Sequence, residues 1–287
     1  MTICLINVQM DERKSRVFKG KSYIRTMYKM ASKIDFKSNF EKGLILDELR
    51  YLLKEYKSAN KLYNGIKAYF DYENDKFSYS QLNRYLRGVN EIPNIKYPPI
   101  LRFIKKKNIN LLILKEFVEI NLTTPIHVDF HNLLKNPSLL NIFAFDNNLH
   151  FDLKGKFSAI LTHNDCIPLA IAFAQVLEIP WYALKFKQPA LDEDRVVTFP
   201  YYIDDELITN YYFVNYQELK DKNILILNEY IYKGNLTDIL LRVAEKSGSS
   251  VELILTMVAI GNTIEDLKKS FGIEIKALKT VNTKGKE

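Results

Sequence analysis

The second half of the chain alternates short apolar runs with helical segments, and this pattern restricts the fold more than any other feature of the sequence. Residues 157–162 (FSAILT) and 224–227 (ILIL) are apolar runs of strand length, whereas residues 167–177 (IPLAIAFAQVL) have the length of a buried helix. The same pattern continues with strands at 181–186 and 251–260 and an amphipathic helix at 237–246. Because strands that alternate with helices form mostly parallel sheets, the sequence predicts an α/β domain with flanking helices.

The first half has a different character and is predicted to be all-α. Apolar residues fall on one helical face in residues 45–56 and again in residues 62–70. A third helix is predicted from Ser78, where Gln81 completes a capping box, to Gly88. We therefore expect three parts, which are a basic extension at residues 1–40, a helical domain with its linker at 41–120, and the α/β domain at 121–287.

Charge is divided unevenly between the two halves. Residues 1–120 contain 24 Lys and Arg against 13 Asp and Glu, whereas the remaining residues contain 17 against 21. A basic half joined to a slightly acidic half favours a polyanion as the partner of the first half, although a lysine-rich solvated surface would give the same counts.

Cysteine content and hydropathy exclude several classes of protein. No apolar run approaches the ~20 residues that span a bilayer, so no membrane partner is expected. Two cysteines, Cys4 and Cys166, cannot form a disulfide framework, and a reducing cytoplasm is the simplest location. The pair His127 and His131, with Asp129 between them, has the spacing of metal ligands, but the histidines have no cysteine or further histidine companion, and we expect no metal site. A catalytic nucleophile signature is also missing.

The segment from Ile224 to Thr237 has the pattern of a phosphate-binding turn. An apolar strand is followed by the polar pair Asn228-Glu229, a loop with Lys233-Gly234, and the start of a helix. Backbone N–H groups at such a loop and helix start can hold a phosphate, and polar groups at the strand end can reach a sugar. The same residues would also be expected if they only capped a strand and solvated a turn.

These residues resemble the motif of the type I phosphoribosyltransferases, in which an apolar strand, two acids and a phosphate loop follow one another. Other segments agree in order over residues 125–280. Residues 160–170 (ILTHNDCIPLA) resemble the pyrophosphate loop and its helix, and residues 177–187 resemble the next turn and its basic strand end. Residues 196–214 stand where the family has its mobile hairpin. The resemblance implies a type I phosphoribosyltransferase-like parallel sheet, and Mg²⁺ as a companion of phosphoribosyl pyrophosphate is the one cofactor it implies.

This sequence departs from the family motif at positions that matter for catalysis. Asn228 replaces the first acid, Lys233 stands where threonine is expected, and Asn235 and Leu236 replace small or hydroxyl residues. Loss of a charge that stabilises a transition state commonly costs about 3–4 kcal/mol. We therefore expect ligand binding without turnover and assign no catalytic residue. The expected ligand-binding residues are Asn228, Glu229, Lys233, Gly234, Asn235, Leu236, Thr237, Thr162, His163, Asn164, Lys185 and Lys187.

Residues 82–93 (LNRYLRGVNEIP) resemble the end of the recognition helix in phage-repressor-like helix-turn-helix regulators. Asn and Gln can recognise adenine edges, and Arg can recognise guanine or hold phosphate. The alternative is a three-helix module that packs on the second domain. The expected DNA-binding residues are Tyr79, Ser80, Gln81, Asn83, Arg84 and Arg87.

Together, the two resemblances imply a homodimeric transcriptional regulator that binds double-stranded DNA through its helical domain. Its degenerate phosphoribosyltransferase domain would sense a small phosphorylated ligand, such as phosphoribosyl pyrophosphate or a nucleotide, or a nucleobase. Two alternatives remain open at this point. One is an active phosphoribosyltransferase with an accessory helical domain, and the other is a ligand-binding module that recruits RNA or protein through its basic half.

Overall fold

The structure is a computed structural model that describes residues 39–70, 77–123, 126–186, 196–203, 206–214, 216–232 and 235–282. The predicted basic extension at residues 1–40 therefore lies almost wholly outside the described residues. Within the described ranges, no helix has both the length and the apolar character needed to cross a membrane.

The elements follow the predicted change from helices to alternating strands and helices. The helices are α1 (Asn39–Tyr56), α2 (Ala59–Lys67), α3 (Tyr79–Leu86), α4 (Tyr97–Lys107), α5 (Ile109–Phe117), α6 (His131–Leu134), α7 (Pro137–Phe151), α8 (Ile167–Leu177), α9 (Asn235–Ser247) and α10 (Thr263–Phe271). The strands are β1 (Glu119–Asn121), β2 (His127–Asp129), β3 (Ala159–His163), β4 (Trp181–Leu184), β5 (Val196–Ile203), β6 (Glu206–Val214), β7 (Asn223–Ile231), β8 (Ser250–Ile260) and β9 (Glu274–Val281).

Five parallel strands form the central sheet, in the order β4-β3-β7-β8-β9, which confirms the predicted α/β class. The sheet is covered on both faces. Helices α7 and α8 pack on one face with Ile160, Leu225 and Leu255, whereas α9 and α10 pack on the other with Leu161 and Ile226. Burial on both faces explains why the central strands are nearly continuous apolar runs. The predicted hairpin at residues 196–214 is present as the antiparallel pair β5–β6.

Strand β7 is longer than its apolar run predicts. The run ILIL ends at Leu227, but β7 continues to Ile231 because β8 runs beside it, pairing Tyr230 with Val258 and Ile231 with Ala259. The prediction that the strand ends before the polar pair is therefore wrong, and Asn228 and Glu229 lie inside the strand. Consecutive strand residues point to opposite faces of a sheet, so the two side chains separate.

Helix α3 begins and ends as its sequence predicts. The Ser78 hydroxyl accepts from the Gln81 backbone N–H, and the Gln81 side chain accepts from Ser78 N–H, which forms the capping box. At the other end, Gly88 adopts a φ of +69° while Val89 N–H donates to the Arg84 carbonyl. This is the Schellman arrangement, and it requires the left-handed conformation that glycine adopts most easily.

The helices of the first half and one face of the sheet share one continuous hydrophobic core. That core includes Leu49 of α1, Phe103 of α4, Phe143 of α7, Phe173 of α8 and Leu227 of β7. At the surface, Lys154 Nζ forms ion pairs with the helical half and with the end of α8, because it lies 2.9 Å from Glu41 Oε1 and 2.8 Å from Glu178 Oε1.

A buried polar group interrupts this core where α1 meets α5 and α7. Glu48 is fully buried, and both of its carboxylate oxygens have no hydrogen-bond partner among the described residues. Asp146 is also fully buried, and its Oδ2 accepts from Asn110 N–H at 3.2 Å. Burial, and secondly the Asp146 carboxylate, raise the pKa of Glu48 well above its usual value.

Candidate functional site

The carboxyl ends of β3 and β7 meet at one edge of the sheet and bring the predicted ligand-binding residues together. The two strands are parallel neighbours, with Leu161 paired with Ile226. One residue further along, Thr162 is fully buried and its hydroxyl donates to the Leu227 carbonyl at 2.7 Å. This bond ties the strand ends together and fixes the positions of the residues that follow them.

Asn228 is directed towards the start of α9. Its Nδ2 donates to Thr237 Oγ1 at 3.0 Å, and both residues are buried. Asn228 Oδ1 is buried and has no hydrogen-bond partner among the described residues. The Asn228 amide therefore holds strand β7 to helix α9.

Glu229 is directed the other way, towards His163. The carboxylate Oε2 lies 2.7 Å from His163 Nε2, and the two side chains are 8% and 4% exposed. The contact has the distance of an ion pair without the alignment of a hydrogen bond, since Oε2 makes none. Cys166, fully buried, completes the group, and its Sγ lies within 4.8 Å of the nearest His163 and Glu229 ligand atoms. Burial, and secondly the Glu229 charge, raise the pKa of the Cys166 thiol well above its usual value.

Two aromatic pairs lie near this group, because the Glu229 charge acts on one member of each, Tyr230 and Tyr211. Tyr230 is partly exposed and stacks on Phe130 with ring centroids 6.2 Å apart. Tyr201 and Tyr211 of the hairpin form an edge-to-face pair at 5.6 Å. Burial raises the pKa of Tyr230, and the Glu229 charge adds to this effect. Flat aromatic faces beside a polar group are suited to holding a planar ring such as a nucleobase.

The other predicted ligand-binding residues are placed as follows. Asn164 is exposed and begins a single 3₁₀ turn, and Lys185 is exposed beyond β4, where its backbone bridges to Tyr212. Asn235 is the first residue of α9, and Leu236, the second, is partly buried against the apolar cluster between α9 and the sheet. The structure thus brings Thr162, His163, Asn228, Glu229 and Thr237 to one edge. Lys187, Lys233 and Gly234 lie outside the described residues.

Two members of the site were missed by sequence reasoning. The predicted ligand-binding residues include neither Cys166, which the sequence uses only to indicate a reducing compartment, nor Tyr230. A signal for Cys166 was present, because it follows His163 by three residues at a strand end, and Glu229 lies near the end of another predicted strand. No comparable signal marks Tyr230, whose partner Phe130 is a hundred residues away in the chain.

The second group of predicted residues lies on helix α3. Leu82, Tyr85 and Leu86 face the core, whereas Tyr79, Ser80, Arg84 and Arg87 are exposed. Gln81 and Asn83 are half-buried. The Gln81 side-chain oxygen is already engaged, because it accepts from Ser78 N–H at 3.1 Å and from Lys96 Nζ at 2.8 Å.

Solved structures share the central parallel sheet and its flanking helices. An adenine phosphoribosyltransferase from Leishmania donovani matches 60% of this chain and 79% of its own length, with a TM-score of 0.50 and 14% identity. An adenine phosphoribosyltransferase from Giardia lamblia, solved with 9-deazaadenine, matches 60% of this chain and 98% of its own, with a TM-score of 0.50 and 12% identity. The fold is that of the type I phosphoribosyltransferases.

At such low identity, these matches show the phosphoribosyltransferase fold and not the activity. No protein-family model matches the sequence, and the curated proteins contain no match to it. The phosphoribosyltransferase fold places Asn228, Glu229 and Thr237 at the carboxyl edge of a parallel sheet, which is where open α/β sheets bind their ligands.

Proposed function

We propose that this protein is a DNA-binding regulator whose phosphoribosyltransferase-fold domain binds a small phosphorylated ligand without turning it over. The proposal rests on the hydrogen bond from Asn228 to Thr237 at the edge of the sheet, combined with the exposed arginines Arg84 and Arg87 on α3 and its cap. The hydrogen bond shows an amide where an active enzyme is expected to have its first acid. The arginines supply a surface for a polyanion.

The DNA-binding part rests on the exposed side chains of α3. The first turn presents Tyr79 and Ser80, and the last turn and its cap present Arg84 and Arg87. A helix held by a capping box at one end and a Schellman turn at the other is rigid enough to be placed in a major groove. Arg50 Nε also donates to the Leu86 carbonyl at 3.1 Å, so α1 holds the end of α3 in place. Gln81 serves the cap in this arrangement, which leaves the two arginines as the main DNA contacts.

The absence of turnover rests on the charge at the site edge. Where an active enzyme of this fold is expected to have two acids, this chain has an amide directed at Thr237 and a carboxylate directed at His163. Charge development on the sugar as a glycosidic bond breaks would then lack a free carboxylate beside it. A pre-oriented charge of this kind is commonly the largest single contribution to catalysis.

Ligand binding rests on the start of α9 and the aromatic residues opposite it. Backbone N–H groups in the first turn of a helix have no partner within the helix and attract phosphate. Tyr230, stacked on Phe130, offers a face for a base at the same edge. In a homodimer, a ligand that prefers one arrangement of the subunits would change the spacing of the two α3 helices and hence the affinity for DNA.

Millimolar phosphoribosyl pyrophosphate or a nucleoside monophosphate is expected to raise the melting temperature of the full chain. A ligand that binds only the folded state stabilises it by about 2.7 kcal/mol at a hundred times its Kd. The variant Gly234→Glu is expected to abolish the rise, because it adds bulk and negative charge at the predicted phosphate loop. Differential scanning fluorimetry measures both.

The matched control is Gly43→Glu on α1, where an added Cβ meets no atom within 4 Å and the same charge is introduced far from the site edge. Gly43→Glu should keep the ligand-dependent rise, and Gly234→Glu should still bind DNA. If the wild type shows no rise with any of these compounds, the ligand-sensing half of the proposal is rejected. The absence of a mobility shift on the gene's own upstream DNA at low salt would reject the other half.

Purified protein given phosphoribosyl pyrophosphate, Mg²⁺ and a set of nucleobases is expected to release no pyrophosphate above background. The physical reason is the loss of the first acid at Asn228. A coupled pyrophosphate assay checks this, with an active phosphoribosyltransferase as the positive control. Turnover in the usual range of about 1–1000 per second would instead make the chain an enzyme, and loss of that turnover in Glu229→Gln would identify the carboxylate responsible.

A further inference from the structure

Three side chains of the kinds that bind transition metals lie together at the carboxyl edge of the sheet. They are His163, Cys166 and Glu229, and their nearest ligand atoms all lie within 4.8 Å of one another. In the part of the chain that the structure describes, no other group of three histidine, cysteine or acidic residues meets this condition. All three are buried, which distinguishes the group from the exposed acidic clusters that are common on protein surfaces.

Rigid elements hold each member of the group. His163 is the last residue of β3, and Cys166 ends the 3₁₀ turn that joins β3 to α8. Glu229 lies within β7, the neighbour of β3, and the Thr162 hydroxyl bond to Leu227 ties the two strands just before the group. Because neither strand can move independently, His163 and Glu229 are held near each other, and the short 3₁₀ turn between β3 and α8 holds Cys166 beside them.

The bonding of the group is incomplete in the protein alone. His163 Nδ1 and Glu229 Oε2 are buried, and neither has a hydrogen-bond partner among the described residues. Buried polar atoms are nearly always paired in folded proteins, because an unpaired one commonly costs about 1–3 kcal/mol. A cation among the three side chains would satisfy the carboxylate.

The donor set indicates which cation fits. Imidazole nitrogen, thiolate sulfur and carboxylate oxygen together are the ligands of zinc, whereas Mg²⁺ and Ca²⁺ prefer oxygen alone. Tetrahedral zinc with bonds of about 2.0–2.3 Å holds its ligand atoms roughly 3.3–3.8 Å apart. The three ligand atoms lie within 4.8 Å of one another, so zinc binding requires only local side-chain shifts, including an opening of the 2.7 Å contact between His163 and Glu229.

We propose that His163, Cys166 and Glu229 bind one Zn²⁺ ion, whose fourth position is taken by water or by an anionic ligand group. The ion displaces the thiol proton of Cys166 to solvent, so that the cluster binds it as imidazole, thiolate and carboxylate. This site is independent of DNA binding and of turnover. It would also place a positive charge at a site edge that has lost its first acid.

The test uses the full chain, stripped of metal with a chelator and then titrated with Zn²⁺ against a chromophoric chelator. The expected result is one ion per chain, measured by elemental analysis after desalting, and a raised melting temperature in its presence. Co²⁺ in place of Zn²⁺ should give a near-ultraviolet thiolate-to-metal charge-transfer band. Cys166→Ser should remove that band and the metal-dependent rise in melting temperature.

The matched control is Cys4→Ser, which removes the other cysteine of the chain and should leave stoichiometry and band unchanged. His163→Gln should weaken binding while it keeps the thiolate band at higher Co²⁺, which separates loss of a ligand from loss of folding. Circular dichroism checks the fold of each variant. A wild type that binds no Zn²⁺ and gives no thiolate band overturns the proposal by itself, as does a Cys166→Ser protein that binds as the wild type does. Neither outcome bears on DNA or nucleotide binding, which are measured without added zinc.

Discussion

Replacing both Arg84 and Arg87 with alanine is expected to lower the affinity for DNA on the order of 100-fold at ~100 mM salt. Both side chains are exposed, one on α3 and the other at its C-cap, so replacing them should leave the fold intact. An arginine that contacts a base or phosphate commonly contributes about 1–3 kcal/mol, and each 1.4 kcal/mol is about tenfold in Kd. The dependence of log K on log salt should also become shallower by roughly two, because two fewer counterions are released.

Fluorescence anisotropy with the gene's upstream DNA, repeated at several salt concentrations, measures both quantities. The matched control is the double variant Lys268→Ala and Lys269→Ala, which removes the same charge from exposed positions on α10. If the two double variants weaken DNA binding equally, binding depends on net charge, and α3 is not the DNA-reading helix. An unchanged affinity in the arginine variant would also show that α3 does not contact the DNA.

The variant Glu48→Leu is expected to stabilise the protein at neutral pH by about 1–3 kcal/mol. The wild-type carboxyl is fully buried, and both of its oxygens lack a hydrogen-bond partner among the described residues. An unsatisfied buried polar group costs about that much, and leucine of similar volume fits the apolar surroundings. The melting temperature should rise by roughly 2–4 °C for each kcal/mol.

The gain should depend on pH in a definite direction. Because burial raises the pKa of Glu48 in the folded state, the folded protein binds this proton more tightly than the unfolded chain does. The cost of burying Glu48 is therefore smallest below the unfolded pKa of about 4.3, and it grows as the pH rises from there to the raised folded pKa. The difference between variant and wild type should be smallest near pH 4 and larger at neutral pH.

Chemical denaturation at several pH values measures this difference, and Glu55→Leu is its control. Glu55 lies on the same helix but is exposed, so the same substitution should change the unfolding free energy by no more than about 0.5 kcal/mol. A Glu48→Leu protein that is less stable than the wild type at neutral pH would mean that the carboxylate is paired and charged in the folded state.

The fold was predictable in class because the apolar runs of the second half are long and bounded by clear turn residues. Helix α8 has the predicted bounds at Ile167–Leu177, and the hairpin at 196–214 is confirmed. Strand β7 was predicted too short, since the polar pair inside it breaks the apolar pattern. Pairing with β8 outweighs local composition there, because the ladder of hydrogen bonds is a property of two strands and not of one.

The candidate site was predictable in its location and only partly in its contacts. A parallel sheet brings strand ends together, so the sequence places Thr162, His163 and Glu229 at one edge. Which side chains then meet depends on the face that each strand residue takes. A strand believed to end at Leu227 gives Asn228 and Glu229 no defined faces, so neither the Asn228–Thr237 bond nor the His163–Glu229 contact could be derived. The nearness of Cys166 to Glu229 also depends on the face that Glu229 takes, although the spacing of three residues after His163 is visible in the sequence.

The continuous core between the helices and the sheet limits how this architecture can be rearranged by recombination. Leu49, Phe103 and Phe143 belong to the same apolar cluster as Leu227 of the central strand, so a cut near residue 120 would divide this core. A chimera that joins residues 121–287 to a foreign DNA-binding segment would leave one face of α7 uncovered in water, and aggregation is its expected fate. Any segment that replaces the helical part must therefore supply apolar side chains that cover this face of α7.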